Sequence, residues 1–192
     1  MNRLTKLDVS DCPRLQDLEV EGNDLSEIEL ANTPNLRRFS AKHNRLTTLV
    51  FSDSYSLDSI DVGWNALTEL DVSNNPFLDR IRVNNNALTE LDVSNNPFLE
   101  TLDASWNLLT EVKLMDAQPD SRPIRLNFGN NLLTLLDITN LPDVELLDVR
   151  WNNMGSPDDI IGRNEHPMLQ DRTEAGPMEQ NGGLLFWPQG AY

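Results

Sequence analysis

The sequence predicts a mainly β solenoid of seven coils of about 21 residues, each with two short parallel strands, little or no helix, and a C-terminal cap. Three observations carry this prediction. The string LTELDVSNNPFL stands at 67–78 and again, unchanged, at 88–99. Leucines open successive units at Leu4, Leu25, Leu46, Leu67, Leu88, Leu109 and Leu133, spaced by 21 residues five times and then by 24. Each unit splits into two halves of the form LxxLxVxxN, as in LTELDVSNN and LDRIRVNNN of the unit that begins at Leu67.

The fourth and sixth positions of each half, such as Leu70 and Val72 or Ile81 and Val83, have period two and predict a strand with one face inward. Polar stretches of the SNNP type between them predict turns. No unit holds a ten-residue helical pattern. Six inward positions in each of seven units make 42, and all but Pro123 are Leu, Ile, Val, Phe or Ala. Pro123 follows extra residues in the sixth unit. One coil cannot bury its own leucines, but a stack at about 4.8 Å per coil can. Each buried leucine contributes about 1.5–3 kcal/mol, most of it offset by ordering the chain.

The ninth position of the second halves is asparagine throughout: Asn23, Asn44, Asn65, Asn86, Asn107, Asn131 and Asn152. An inward amide at a turn uses both donor and acceptor on the backbone of neighbouring coils, so a structural ladder is expected. The first halves carry Cys12, Thr33, Ser54, Asn75, Asn96, Ala117 and Leu141 there, which predicts Cys12 as a small inward packed side chain.

At this point the chain resembles the leucine-rich repeat family. Units such as LTELDVSNNPFLETLDASWNL resemble the 21-residue, doubled class found mainly in bacterial proteins, internalin-like in character and often secreted or at the cell surface. The likeness covers residues 2–154, and MGSPDDIIG followed by GGLLFWPQ resembles the C-terminal caps of such proteins. What the resemblance implies is a binding scaffold at an extracellular or cell-surface location, commonly for a protein ligand, with no particular partner attached.

Asn2-Arg3-Leu4 matches Asn44-Arg45-Leu46, so the chain opens in mid-coil. The expectation is a fragment of a longer parent, with no signal peptide in view and an open first coil suited to end-to-end association. Residues 1–154 are then the solenoid and 155–192 a cap, with Ile160 and Phe186 as lids, Ile161, Leu184, Leu185 and Trp187 as further anchors, and a mobile loop at about 163–181.

A net charge of −16 argues against nucleic acid and anionic membrane surfaces, which need basic patches. A single cysteine excludes an internal disulfide, and no apolar run is long enough to insert in a membrane. The outward positions of the first halves, such as Glu69-Asp71-Ser73 and Glu90-Asp92-Ser94, are acidic and monotonous. A solvated face explains them better than calcium, because a row of carboxylates is not a cage.

The outward positions of the second halves change sign and size, with Arg38, Arg80, Arg82 and Arg125 among them. The eighth position adds His43, Trp64, Trp106 and Trp151. These rings have no core position left to fill, and exposed Trp and Arg are frequent at interface hot spots. Two readings of the tryptophans stand, a partner-binding surface or a cover over the asparagines. The insertion around Gln118 to Arg122 is a second candidate contact or a tolerated loop.

No Ser-His-Asp or Cys-His arrangement, phosphate loop, metal set or cofactor motif is present, and His43 and His166 stand far apart, so no catalytic residue, cofactor or enzymatic activity is expected. Three functions remain. A protein-binding module predicts sensitivity to Arg80, Arg82 and salt. A glycan-binding module predicts sensitivity to the tryptophans alone, and a spacer predicts neither.

Overall fold

The computed structural model describes residues 3–51, 53–118, 121–169 and 183–186. Seven coils stack as parallel turns, and no described residue is α-helical. Coil 1 carries β1 (Lys6–Asp8) and β2 (Asp17–Glu19), and coil 2 carries β3 (Glu27–Glu29) and β4 (Arg38–Ser40). Coils 3 and 4 carry one strand each, β5 (Ser59–Asp61) and β6 (Arg80–Arg82). Coil 5 holds β7 (Glu90–Asp92) and β8 (Thr101–Asp103), and coil 6 holds β9 (Glu111–Lys113) and β10 (Ile124–Asn127). Coil 7 holds β11 (Leu136–Asp137) and β12 (Val144–Asp148).

The two faces differ. The second-half strands form one parallel sheet in the order β14-β12-β10-β8-β6-β5-β4-β2, with β14 at Gly183–Leu185. Its register runs coil by coil, Phe39 beside Ile60, Ile60 beside Ile81, Ile81 beside Leu102. The first-half face is broken into pairs: β1 with β3, β7 with β9, and β11 with β13 (Ile160–Ile161). Coils 3 and 4 therefore lack the first-half strand that the pattern predicts. The apolar pattern is intact there, with Leu49, Phe51, Leu70 and Val72 buried, so burial and not ladder pairing places these segments.

The core lies between the faces. From coil 2 onward the inward positions are buried, except Ile28, Val112 and Leu114, which are half-buried, and Pro123, which is exposed. Ile124 fills the place expected of Pro123. It is fully buried and pairs with Val144, and the register shifts between Ile124 and Arg125 to restore Leu126 opposite Leu147. Met115 is likewise buried, where the outward pattern had placed it on the surface. The extra residues of coil 6 thus move one apolar side chain inward on each side of the loop. Pro119 lies outside the described residues.

Coil 1 has a neighbour on one side only. Leu4 is exposed, and Leu7, Val9, Leu15, Leu18 and Val20 are half-buried. Cys12 is exposed for the same reason, whereas Thr33, Ser54, Asn75 and Asn96 below it in the column are buried. Asn2 lies outside the described residues.

At the other end Ile160 pairs beside Leu136 and is buried, and Leu184 pairs beside Leu147 and is buried, whereas Ile161, expected as an anchor, alternates to the outer face and is exposed. Phe186 packs against the core half-buried. Ser156 caps a 3-10 turn at Pro157–Asp159 by a reciprocal capping box with Asp159. Within the segment expected to be mobile, residues 163–169 form two further 3-10 turns, and His166 is buried with Nε2 donating to Ile138 O at 2.9 Å. The remainder of that segment and Trp187 lie outside the described residues.

Candidate binding ridge

The asparagine column forms as the spacing predicts. Leu67 N–H donates to Asn86 Oδ1 at 2.9 Å, while Asn86 Nδ2 donates to Val62 O and Val83 O, both at 3.0 Å. The same three bonds recur at Asn44, Asn65, Asn107, Asn131 and Asn152. Asn23, on the end coil, accepts from Leu4 N–H and donates only within its own coil. Each interior amide therefore ties two coils together and leaves no buried group unpaired.

The turn that aims these amides inward requires a left-handed residue just before each of them. Gly22, His43, Trp64, Asn85, Trp106, Asn130 and Trp151 have φ of 65, 55, 58, 57, 56, 58 and 60°. Glycine and asparagine adopt this conformation readily, and a bulky side chain pays a penalty of about 1–2 kcal/mol. The sequence shows this column as an alternation of Gly or Asn with aromatics. The Gly and Asn members were the available signal for a left-handed turn.

The rings stay in solvent. Trp64, Trp106 and Trp151 are 49, 58 and 41 % exposed. His43 packs against Trp64 with ring centroids 5.3 Å apart and planes tilted by 30°. Asn107 and Asn152, beside Trp106 and Trp151, are 6 and 1 % exposed, and Asn131, beside Asn130, is 5 % exposed. Two positions further on, Ala66, Leu108 and Leu132 are exposed as well. Tryptophans two coils apart are separated by about 9.6 Å. The result is an aromatic and apolar edge along the turns, beside the sheet and not on it.

The arginines lie on the sheet, and most face a carboxylate of the adjacent coil. Arg38 Nε donates to Asp17 Oδ1 at 2.5 Å, and Arg125 grips both oxygens of Glu145 at 2.5 and 2.8 Å. Arg82 stands 3.9 Å from Asp61. Arg80 has no ion pair among the described residues. The change of sign from coil to coil thus supplies cross-coil pairs, each contributing up to about 1 kcal/mol at an exposed position. Arg80 is the guanidinium of this set left for a partner.

The opposite face holds a shallow groove of about 530 Å³ over coils 3 to 6, lined by Leu49, Val50, Glu69, Asp71, Glu90 and Asp92 among others. It opens where the first-half strands are missing. Among the described residues no group of three or more His, Cys, Asp or Glu is placed to hold a metal ion, and no helix is long and apolar enough to cross a membrane.

Stacked parallel coils with inward leucines and an asparagine column define a leucine-rich repeat solenoid. A model of the leucine-rich repeat family matches residues 87–116, and the fold as a whole is that of the leucine-rich repeat structures it resembles. Among solved structures it is similar to the functional domain of InlJ from Listeria monocytogenes, with 28% identity and a TM-score of 0.55 over 74% of this chain and 36% of that one. It is similar to the leucine-rich repeat domain of APL1B, with 25% identity and a TM-score of 0.62 over 77% of this chain and 46% of that one. A leucine-rich repeat protein of Leptospira interrogans shares the fold at 20% identity, with a TM-score of 0.54 over 76% and 45%. The chain thus spans less than half the length of each of these structures. No curated protein matches the sequence. The InlJ domain is described as including a cysteine ladder; this chain, with one cysteine, builds its buried columns from Asn, Thr and Ser.

Proposed function

We propose that the chain is a non-enzymatic protein-binding module of a bacterial surface or secreted protein, and that its partner docks on the ridge of His43, Trp64, Trp106 and Trp151, with Arg80, at the far end of the adjoining sheet, as an outlying contact. The leucine-rich repeat fold suits an interaction scaffold, and the internalin-like resemblance supports the surface location. One observation carries the choice of ridge. Three tryptophans occupy a left-handed turn position that Gly22, Asn85 and Asn130 fill at lower cost, and about half of each stays in solvent. Backbone strain kept at residues that leave large aromatic surface exposed is a mark of functional surface. Large, stiff aromatic rings are the usual anchors of protein interfaces.

The test is a binding screen of the chain against a host-protein library and a glycan array, with a Trp64→Asn, Trp106→Asn double variant beside it. The expected result is a protein ligand whose binding the folded variant loses. A glycan ligand lost in the same way would keep the ridge and replace the ligand class. Binding that survives in the variant would remove the ridge as the site.

A further inference from the structure

A second exposed aromatic feature lies on the other turn of the coil, away from the ridge. Phe77 and Phe98 come from the duplicated NNPFL turns and are 59 and 54 % exposed. Their rings are nearly parallel, 8° between planes, with centroids 6.4 Å apart. Tyr55 is exposed on the coil before them. Phe77 and Asp79 flank the inward Leu78, so both point outward, and Phe98 and Glu100 flank Leu99 in the same way.

A column of carboxylates runs beside the rings. Asp79 N–H donates to Asp58 O at 2.9 Å and Glu100 N–H to Asp79 O at 2.8 Å, which stacks the three residues on successive coils. The outer two are neutralised: Arg37 lies 3.0 Å from Asp58, and Arg122 lies 2.7 Å from Glu100. Asp79, between them, has no ion pair among the described residues, and burial with its two acidic neighbours pushes its carboxyl above the usual range, against the pull of Arg80 and Arg122. A half-buried carboxylate without an ion pair among the described residues, two positions along the chain from an exposed, stacked phenylalanine, is complementary to a cation with a flat or apolar stem.

We propose that Phe77, Phe98 and Asp79 form a docking point for a basic segment of a protein partner, which lays an arginine side chain on the paired rings and its charge against Asp79. The whole chain is acidic, at −16, so a basic segment is also drawn in at long range. The guanidinium fits better than an ammonium, since it is planar and stacks on aromatic faces. This surface is separate from the tryptophan ridge and stands or falls without it.

The probe is a blocked peptide of alternating glycine and arginine, compared with its lysine and glutamine versions by calorimetry and by NMR of the phenylalanine rings. The expected order is arginine over lysine over glutamine, with ring shifts at Phe77 and Phe98. Replacing each ring weakens arginine-peptide binding by about two- to five-fold. A Phe77→Leu, Phe98→Leu variant keeps apolar contact and removes the arginine preference, and Asp79→Asn weakens both basic peptides. Trp106→Asn leaves binding unchanged. Equal binding of arginine and lysine peptides, untouched by the leucine variant, would overturn the proposal and leave only attraction by net charge. Self-association in sedimentation that depends on Phe77 and Phe98 would also overturn it, by giving the surface to a second copy.

Discussion

Asn86 ties its own coil to the one before: its Oδ1 accepts the N–H of Leu67, 19 residues earlier in the same coil, and its Nδ2 donates to Val62 of the preceding coil, 24 residues earlier, and to Val83 in its own half. Asn86→Ala leaves one amide hydrogen and two carbonyls without these partners. The expected loss is about 3 kcal/mol in denaturant unfolding. Asn23→Ala, on the end coil, removes no bond to a preceding coil and is expected to cost about 1 kcal/mol. Equal losses at the two positions would show that the column does not act between coils.

The register of coil 6 gives a second test. Ile124 is fully buried where the repeat pattern had placed Pro123. Ile124→Ala is expected to cost about 2–5 kcal/mol, and Pro123→Ala less than about 0.5 kcal/mol, measured by chemical unfolding.

Gly162 and Gly22 both have positive φ, 82 and 65°, but differ in space. A Cβ on Gly162 would meet the Thr139 backbone at 2.5 Å, and one on Gly22 meets nothing within 4 Å. Gly162→Ala is expected to detach the strand at Ile160–Ile161, seen as faster hydrogen exchange at Ile138, whose N–H donates to Ile161 O. Gly22→Asn is expected to leave exchange unchanged.

Two aspartates give opposite pH effects. Asp92 accepts from the Ser94 hydroxyl at 2.6 Å and the Ser94 N–H at 3.0 Å, and these bonds hold its carboxyl below the usual range. Its stabilisation is present above the unfolded pKa of about 3.9 and is lost as pH falls through the lower folded value. Asp79 is raised, chiefly by burial, so its ionised form destabilises the fold, and that penalty disappears as pH falls from the raised value toward about 3.9. At pH 7 Asp79→Asn is expected to raise the melting temperature and Asp92→Asn to lower it slightly, with both differences shrinking below about pH 4 in thermal melts.

The stack, its inward positions and the asparagine column were legible because each rests on a side-chain type repeated at a fixed period. The parts that were not legible depend on neighbours. Cys12 follows its column but lacks a coil above it, so the same position is exposed there and buried at Thr33. Met115 and Ile124 turn inward because a loop insertion moves register locally, which no period reports. The stacking of Phe77 on Phe98 follows from exact duplication of NNPFL in adjacent coils, a signal present in the sequence. The pairing of Arg38 with Asp17 and of Arg125 with Glu145 needed the coil-to-coil alignment to be read across the outward positions, two residues at a time.

The central claim is that the tryptophans are held for contact and not for the fold. The most direct measurement is the unfolding free energy of two reciprocal variants, Trp106→Asn and Asn85→Trp, which exchange the residue types of adjacent coils at the left-handed position. Trp106→Asn is expected to raise stability by about 1 kcal/mol and Asn85→Trp to lower it by a similar amount. A loss of stability in Trp106→Asn would contradict it and make the ring a structural cover of the turn.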